Sequence, residues 1–191
     1  GAPSHPDCVA AVESTARALE GLGHDVDWVT FPELNEPVDH AFGTVMAAAL
    51  ARDVERWARR TGTDIASKLE PANALITSMG AQLGAGDYLA AMEDMQAWAR
   101  RVAAGWETLD VLVLPTSPEP PVRLGELAPG NAEPTVGSRM ADLVTFTVPF
   151  DVTGQPALSL PLAWNADELP IGVQFVAAFG REDVLIRLAS Q

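Results

Sequence analysis

The sequence predicts an α/β chain: a mixed β-sheet covered by helices, with the helices concentrated in the first half. Three observations predict it. Two apolar runs near the C-terminal end, Pro156–Leu162 and Ile171–Val176, have the length and composition of buried strands. A third, Asp110–Leu114, is equally apolar and stops at Pro115. Ahead of it, apolar residues recur mostly at helical spacing, interrupted by short polar or glycine-bearing turns.

Taken in order, Ser4, Pro6 and Asp7 form a helix start, and the helix runs to about Leu22. Val9, Val12, Ala16, Leu19 and Leu22 share one face, and Gly21 and Gly23 supply the stop. His5 and His24 fall at its start and just beyond its end, where capping or surface roles outweigh catalysis. His24–Phe31 then reads as a short strand ending at Pro32. A second helix covers about Val38 to Arg60, with Val45, Ala48, Ala49, Val54 and Trp57 as its buried positions and His40 solvated near its start. After the turn at Thr61–Asp64, Ile65–Leu83 is helical but must break or restart at Pro71. Ala85 begins the longest periodic element, whose face of Leu89, Met92, Met95, Trp98, Ala99, Val102 and Trp106 reads as core filling between helices.

Beyond the strand at Asp110–Leu114, residues 117–136 hold five prolines (Pro118, Pro120, Pro121, Pro129 and Pro134) and read as an exposed loop. Gly137–Leu143 is a candidate helical turn. Thr153-Gly154 bends the chain into the first C-terminal strand, Asn165–Glu168 supplies the polar turn between the two, and Gly180 ends the second. A last helix follows, with Glu182 and Asp183 at its positive N-terminal end and Val184, Leu185 and Leu188 turned inward.

The 191 residues suffice for one domain with a proper core. Hydrophobic content of 48%, charged content of 20% and a mean hydropathy of +0.09 are those of a soluble globular protein. With no apolar run of the length a membrane helix needs and no leader pattern, the expected location is cytoplasmic, away from membranes. A net charge of −14 repels polyanions, so nucleic acid is not an expected partner. The single Cys8 forms no internal disulfide and reads as a small apolar residue on a helix face, and the three histidines lack zinc-ligand spacing. The chain opens on Gly1-Ala2 and closes on Ser190-Gln191 within a helical pattern, which reads as a segment of a longer protein.

Chemistry is sparse. The sequence lacks a nucleophile elbow, a phosphate-binding loop, a zinc-protease helix and a cysteine pair. Lys68 is the one lysine; the nearby Ser67 and Ser78 have no glycine-rich oxyanion loop, so Lys68 reads as a solvated charge and no residue is assigned as catalytic. Glu93 and Asp94 are neighbours on the outer side of a helix rather than an acid–base pair. What remains is polar groups amid apolar strands: Thr147, Asp151, Thr153, Gln155 and Gln174. Buried polar groups must find partners, either within the turn or on a bound substrate, and these five are the candidate substrate-binding residues.

The order PF-x-x-TGQPALSLPL at 149–162, a polar turn, then LPIGVQFVAAFGREDVLIRLASQ at 169–191 resembles the closing segment of amidase signature enzymes. Trp164 after the SLPL strand is similar to the branch that includes 6-aminohexanoate cyclic-dimer hydrolases. HP-x-C at 5–8, LE-x-LGH at 19–24 and DVLVLPT at 110–116 resemble the same family. The resemblance implies a partial amidase signature fold and a parent enzyme that cleaves amides, including linear or cyclic ω-amino-acid amides. Such enzymes use a nucleophilic serine, a second serine and a lysine, with a Gly/Ser-rich oxyanion loop. It implies that this chain is the C-terminal part, flanking the substrate site, with the N-terminal catalytic half and a small amide as partners and with no metal or organic cofactor. A sheet cut from its neighbours also exposes edges through which copies self-associate. Asp151 stands where the family usually has Asn, so a donor role there is lost once the carboxyl is ionised. The alternative is a non-catalytic interaction module, or the accessory part of an amidotransferase-like assembly.

Overall fold

The computed structural model describes residues 3–36, 38–128 and 135–191. Helix α1 (Pro6–Gly21) is followed by an irregular segment and a 3-10 turn at Pro32–Asn35. Helices α2 (Asp39–Thr61), α3 (Pro71–Gly80) and α4 (Ala85–Ala104) form a helical layer. Strand β1 (Val111–Pro115) comes next, then α5 (Thr135–Leu143) and α6 (Val148–Thr153). The hairpin of β2 (Ala157–Trp164) and β3 (Pro170–Ala177) follows, and α7 (Glu182–Ala189) closes the described chain.

The sheet has the order β1-β3-β2, with β3 in the middle. Among the described residues both pairings are antiparallel, where a mixed sheet was expected. The cause is local: β2 and β3 are joined by a tight turn, which only antiparallel neighbours accept. In that turn the Asn165 side chain accepts from the Asp167 and Leu169 amides at 3.0 and 2.8 Å, and Glu168 takes a left-handed φ of 59°.

Because side chains alternate along a strand, β3 feeds two cores. Val173, Phe175 and Ala177 join Cys8, Ala11 and Val12 of α1 and Leu185 of α7 on one face. Val176 joins Trp106 and Phe150 on the other. A separate cluster of Val38, Trp98 and Val102 seats α4 on the segment before α2, where the Trp98 indole donates to the Glu33 carbonyl at 2.7 Å.

Several expectations meet the structure directly. His5 is the N-cap of α1, its Nδ1 accepting from the Asp7 amide at 3.2 Å. Pro71 starts α3, splitting the 65–83 stretch as its missing N–H requires. The buried face of α1 is Cys8, Ala11, Val12 and Thr15, so Val9 and Leu22 lie exposed; on α2 the buried residues are Ala41 and Ala47, and Trp57 is exposed under Arg56 and Arg60. At 23 residues α2 also exceeds the 20 of α4.

Two readings are corrected. His24–Phe31 is no strand: Asp25–Thr30 makes no backbone hydrogen bond among the described residues, and Trp28 is 74% exposed. The alternating pattern is present, but nothing pairs with it. The 117–136 stretch is not a free loop throughout: Pro118 is buried and accepts the His5 amide at 2.6 Å, and Arg139 of α5 pairs with Glu119 and Glu126. Residues 129–134 lie outside the described residues, and α5 already begins at Thr135.

Candidate functional site

A pocket of about 300 Å³ opens at one end of the sheet. Thr116 and Ser117 reach it from the end of β1, Ile171 and Gly172 from the start of β3, and Cys8 from the first turn of α1. Glu119, Val122 and Leu143 close the sides. These walls are tied together: Thr116 N–H donates to the Gly172 carbonyl at 3.1 Å, and Ser117 Oγ donates to the Leu143 carbonyl at 3.3 Å.

Gly172 has a specific reason to be glycine. The hydroxyls of Thr116 and Ser159, 2.6 Å apart, meet over it, and a Cβ there would lie 2.9 Å from each oxygen. The pocket is otherwise apolar, and its ionised group, Glu119, is neutralised by Arg139. Burial is the main cause that pushes the Cys8 thiol pKa up, with Asp7 and Glu119 adding to it. Cys8 is therefore a protonated, apolar wall rather than a thiolate.

The five polar residues singled out from sequence lie elsewhere. Thr147, Asp151 and Thr153 belong to α6 and its N-cap position, not to strands as their setting suggested. Thr147 Oγ1 donates to the Val144 carbonyl at 3.1 Å, and Thr153 Oγ1 donates to the Pro149 carbonyl at 2.8 Å and contacts Gln155 Oε1. Gln155 is buried where the chain leaves α6 through Gly154, whose φ of 75° ends the helix. Gln174, buried on β3, donates through Nε2 to the Phe146 carbonyl at 2.8 Å. Asp151 is exposed. None of the five lines the pocket.

The pocket residues that sequence reasoning missed, Thr116, Ser117, Glu119 and Gly172, come from stretches read as strand ends and loop. The proline run after β1 was a usable signal, since a rigid turn at a strand end builds a wall. The one lysine, Lys68, and Ser67 and Ser78 are exposed in the helical layer, Ser67 Oγ donating to the Asp64 carbonyl at 3.1 Å.

A second, larger depression of about 1110 Å³ runs beside β1. Its floor is the outer edge of that strand and its far rim is the segment 24–29.

The chain is an α/β scaffold with a small pocket at one end of its sheet. The amidase family model matches residues 1–186, and the chain belongs to the amidase family. It is 34% identical over 196 residues to the 6-aminohexanoate-cyclic-dimer hydrolase of Paenarthrobacter ureafaciens, an alignment covering 97% of this chain and 40% of that protein. The enzyme of the same name from a Pseudomonas species gives the same identity and coverage. A solved structure of 6-aminohexanoate cyclic dimer hydrolase superposes with a TM-score of 0.88 at 34% identity, over 97% of this chain and 40% of that one. The chain thus spans about two-fifths of the length of the relatives it matches. No helix among the described residues is long and apolar enough to cross a membrane.

Proposed function

We propose that this chain is the C-terminal, substrate-flanking part of an amide hydrolase domain, and that it supplies neither nucleophile nor base. The observation that carries this reading is the match itself: nearly end to end in this chain, at a TM-score of 0.88, yet over 40% of the hydrolase. The apolar pocket at the sheet end supports it as one wall of the substrate site. An apolar wall with few polar groups suits the methylene stretch of an ω-amino-acid amide, linear or cyclic. The rest of the domain, a partner held in the same cytoplasmic enzyme, brings the serine, lysine and oxyanion donors.

Substrate contact by Thr147, Asp151, Thr153, Gln155 and Gln174 remains part of the proposal, in two grades. Asp151 already presents an exposed carboxylate, whereas the hydrogen-bonded threonines and glutamines must exchange local bonds before they reach a ligand. The open groove beside β1 weighs against a module that works alone, because such a module covers its edges.

The test is a pocket-filling substitution in a complete amidase domain that carries this chain. Val122→Trp and Leu143→Trp are expected to raise KM for a bulky ω-amino-acid amide several-fold, with kcat for a small aliphatic amide held. Equal effects on both substrates, or none, would remove the pocket from the substrate site.

A further inference from the structure

Among the described residues, the pocket at the sheet end has one ionised lining group, Glu119, since the Cys8 thiol stays protonated. That carboxylate does not face the pocket alone. Arg139 of α5 donates through Nη1 to Glu119 Oε1 and through Nη2 to Glu126 Oε1, the latter at 3.1 Å. Glu126 Oε2 accepts the Arg123 amide at 3.4 Å, so the second carboxylate is held in its own turn. The side chains of Glu119, Arg139 and Glu126 are 27%, 34% and 36% exposed, which makes the triad half-buried rather than a solvated surface pair. Arg139 lies outside the lining, yet Leu143, four residues on along the same helix, is one of its walls. One face of α5 therefore supplies both an apolar wall and the cation that masks the charge opposite.

We propose that Arg139 is a specificity-determining positioning residue. By occupying Glu119 it keeps the pocket wall electrically neutral, and so selects amides whose chain ends in an uncharged group over those that end in an ammonium. The proposal rests on the functional reading above, in which this pocket is one wall of the substrate site. Val122, Leu143 and Ile171 accept a methylene chain whatever its terminus. The difference arises at the end of the chain. An ammonium that enters sheds water and finds the nearby carboxylate already engaged, an uncompensated cost that an uncharged end does not meet. With Arg139 removed, Glu119 becomes an open partner for that ammonium.

The test uses a chimera in which the 191-residue chain replaces the matching segment of the Paenarthrobacter ureafaciens hydrolase. The substrates are 6-aminohexanamide, cationic at neutral pH, and the near-isosteric, uncharged 6-hydroxyhexanamide. Arg139→Gln should lower KM for the cationic amide by about 3- to 10-fold and leave KM for the uncharged one within about two-fold. Arg139→Lys keeps the positive charge and should stay near wild type, and adding Glu119→Gln to Arg139→Gln should abolish the gain. A merely structural clamp gives another pattern: KM rises for both amides in Arg139→Gln and again in Arg139→Lys, because lysine lacks the two-pronged grip. That pattern overturns the proposal. Val122→Trp in the same chimera separates the two claims. If it leaves both KM values unchanged, the pocket is outside the substrate site and both claims fall. If it raises them while Arg139→Gln moves both amides alike, only the charge mask falls. Should the Arg139→Gln chimera be inactive, the Val122 and Leu143 methyl signals of the 191-residue chain give the readout. They should shift at several-fold lower 6-aminohexanamide concentration in Arg139→Gln than in wild type, and equal or absent shifts overturn the proposal.

Discussion

The two outer edges of the sheet are built differently. On the β2 edge, the Ala177 N–H to Pro156 carbonyl bond turns Leu158 and Leu160 toward β3 and leaves Ala157, Ser159 and Pro161 facing out. Pro161 has no N–H to offer, and a register shift between Pro161 and Ala163 twists the strand away. Both are recognised ways of blunting an edge against further pairing. The β1 edge has neither over Val111–Val113, and it opens into the larger depression, whose lining mixes apolar side chains with charged ones such as Asp25, Asp27 and Arg187. One edge is blunted and the other is not. The difference teaches that two edges of one small sheet can differ in how readily each accepts a further strand.

The largest expected effect breaks the strand that both edges share. Phe175 is 3% exposed at the centre of the main core, and Phe175→Ala should cost about 3–5 kcal/mol in a denaturant titration. Next come inward against outward groups. Leu112→Pro strands the Val176 carbonyl and should destabilise the isolated chain by about 1–3 kcal/mol more than Val113→Pro, which removes only an outward donor. Gln174→Leu orphans the Phe146 carbonyl and should also cost about 1–3 kcal/mol. Equal costs for the two prolines would show that the ladder parity is misassigned.

Smaller still is the effect of unblunting the closed edge. Pro161→Val restores an outward N–H and should raise self-association in sedimentation velocity, while leaving monomer stability near wild type. The smallest effect is electrostatic. Hydrogen bonding to Arg101 holds the Glu36 carboxyl below the usual carboxylate range, and Arg181 does the same for Asp183. Both folded pKa values are depressed, so their contribution is complete above the ordinary carboxylate pKa and fades as pH falls through the lower folded one. The urea midpoint should therefore drop slightly between about pH 5 and about pH 3, less so in Arg101→Ala.

Much of this was legible in the sequence, for reasons that are local. Helix boundaries at Pro6 and Pro71, the Asn165 turn and all three strands follow from backbone chemistry carried by single residues. The 24–31 strand was misread because alternation declares what a segment can do, and pairing decides whether it does it. Thr147, Thr153, Gln155 and Gln174 were correctly seen as needing partners. Their partners proved to be the carbonyls of Val144, Pro149 and Phe146 and one another, which no spacing rule reveals. The pocket was hidden because Cys8, Thr116 and Gly172 are far apart in the chain and meet only when β1, β3 and α1 close on one another.

The most direct measurement is amide hydrolysis by the purified 191-residue chain, assayed with the 6-aminohexanoate cyclic dimer and with a simple aliphatic amide. The expected result is no turnover above buffer from the chain alone, and turnover once it is joined to the rest of an amidase domain. Hydrolysis by the isolated chain that disappears in Ser67→Ala, Ser78→Ala or Lys68→Ala would contradict it.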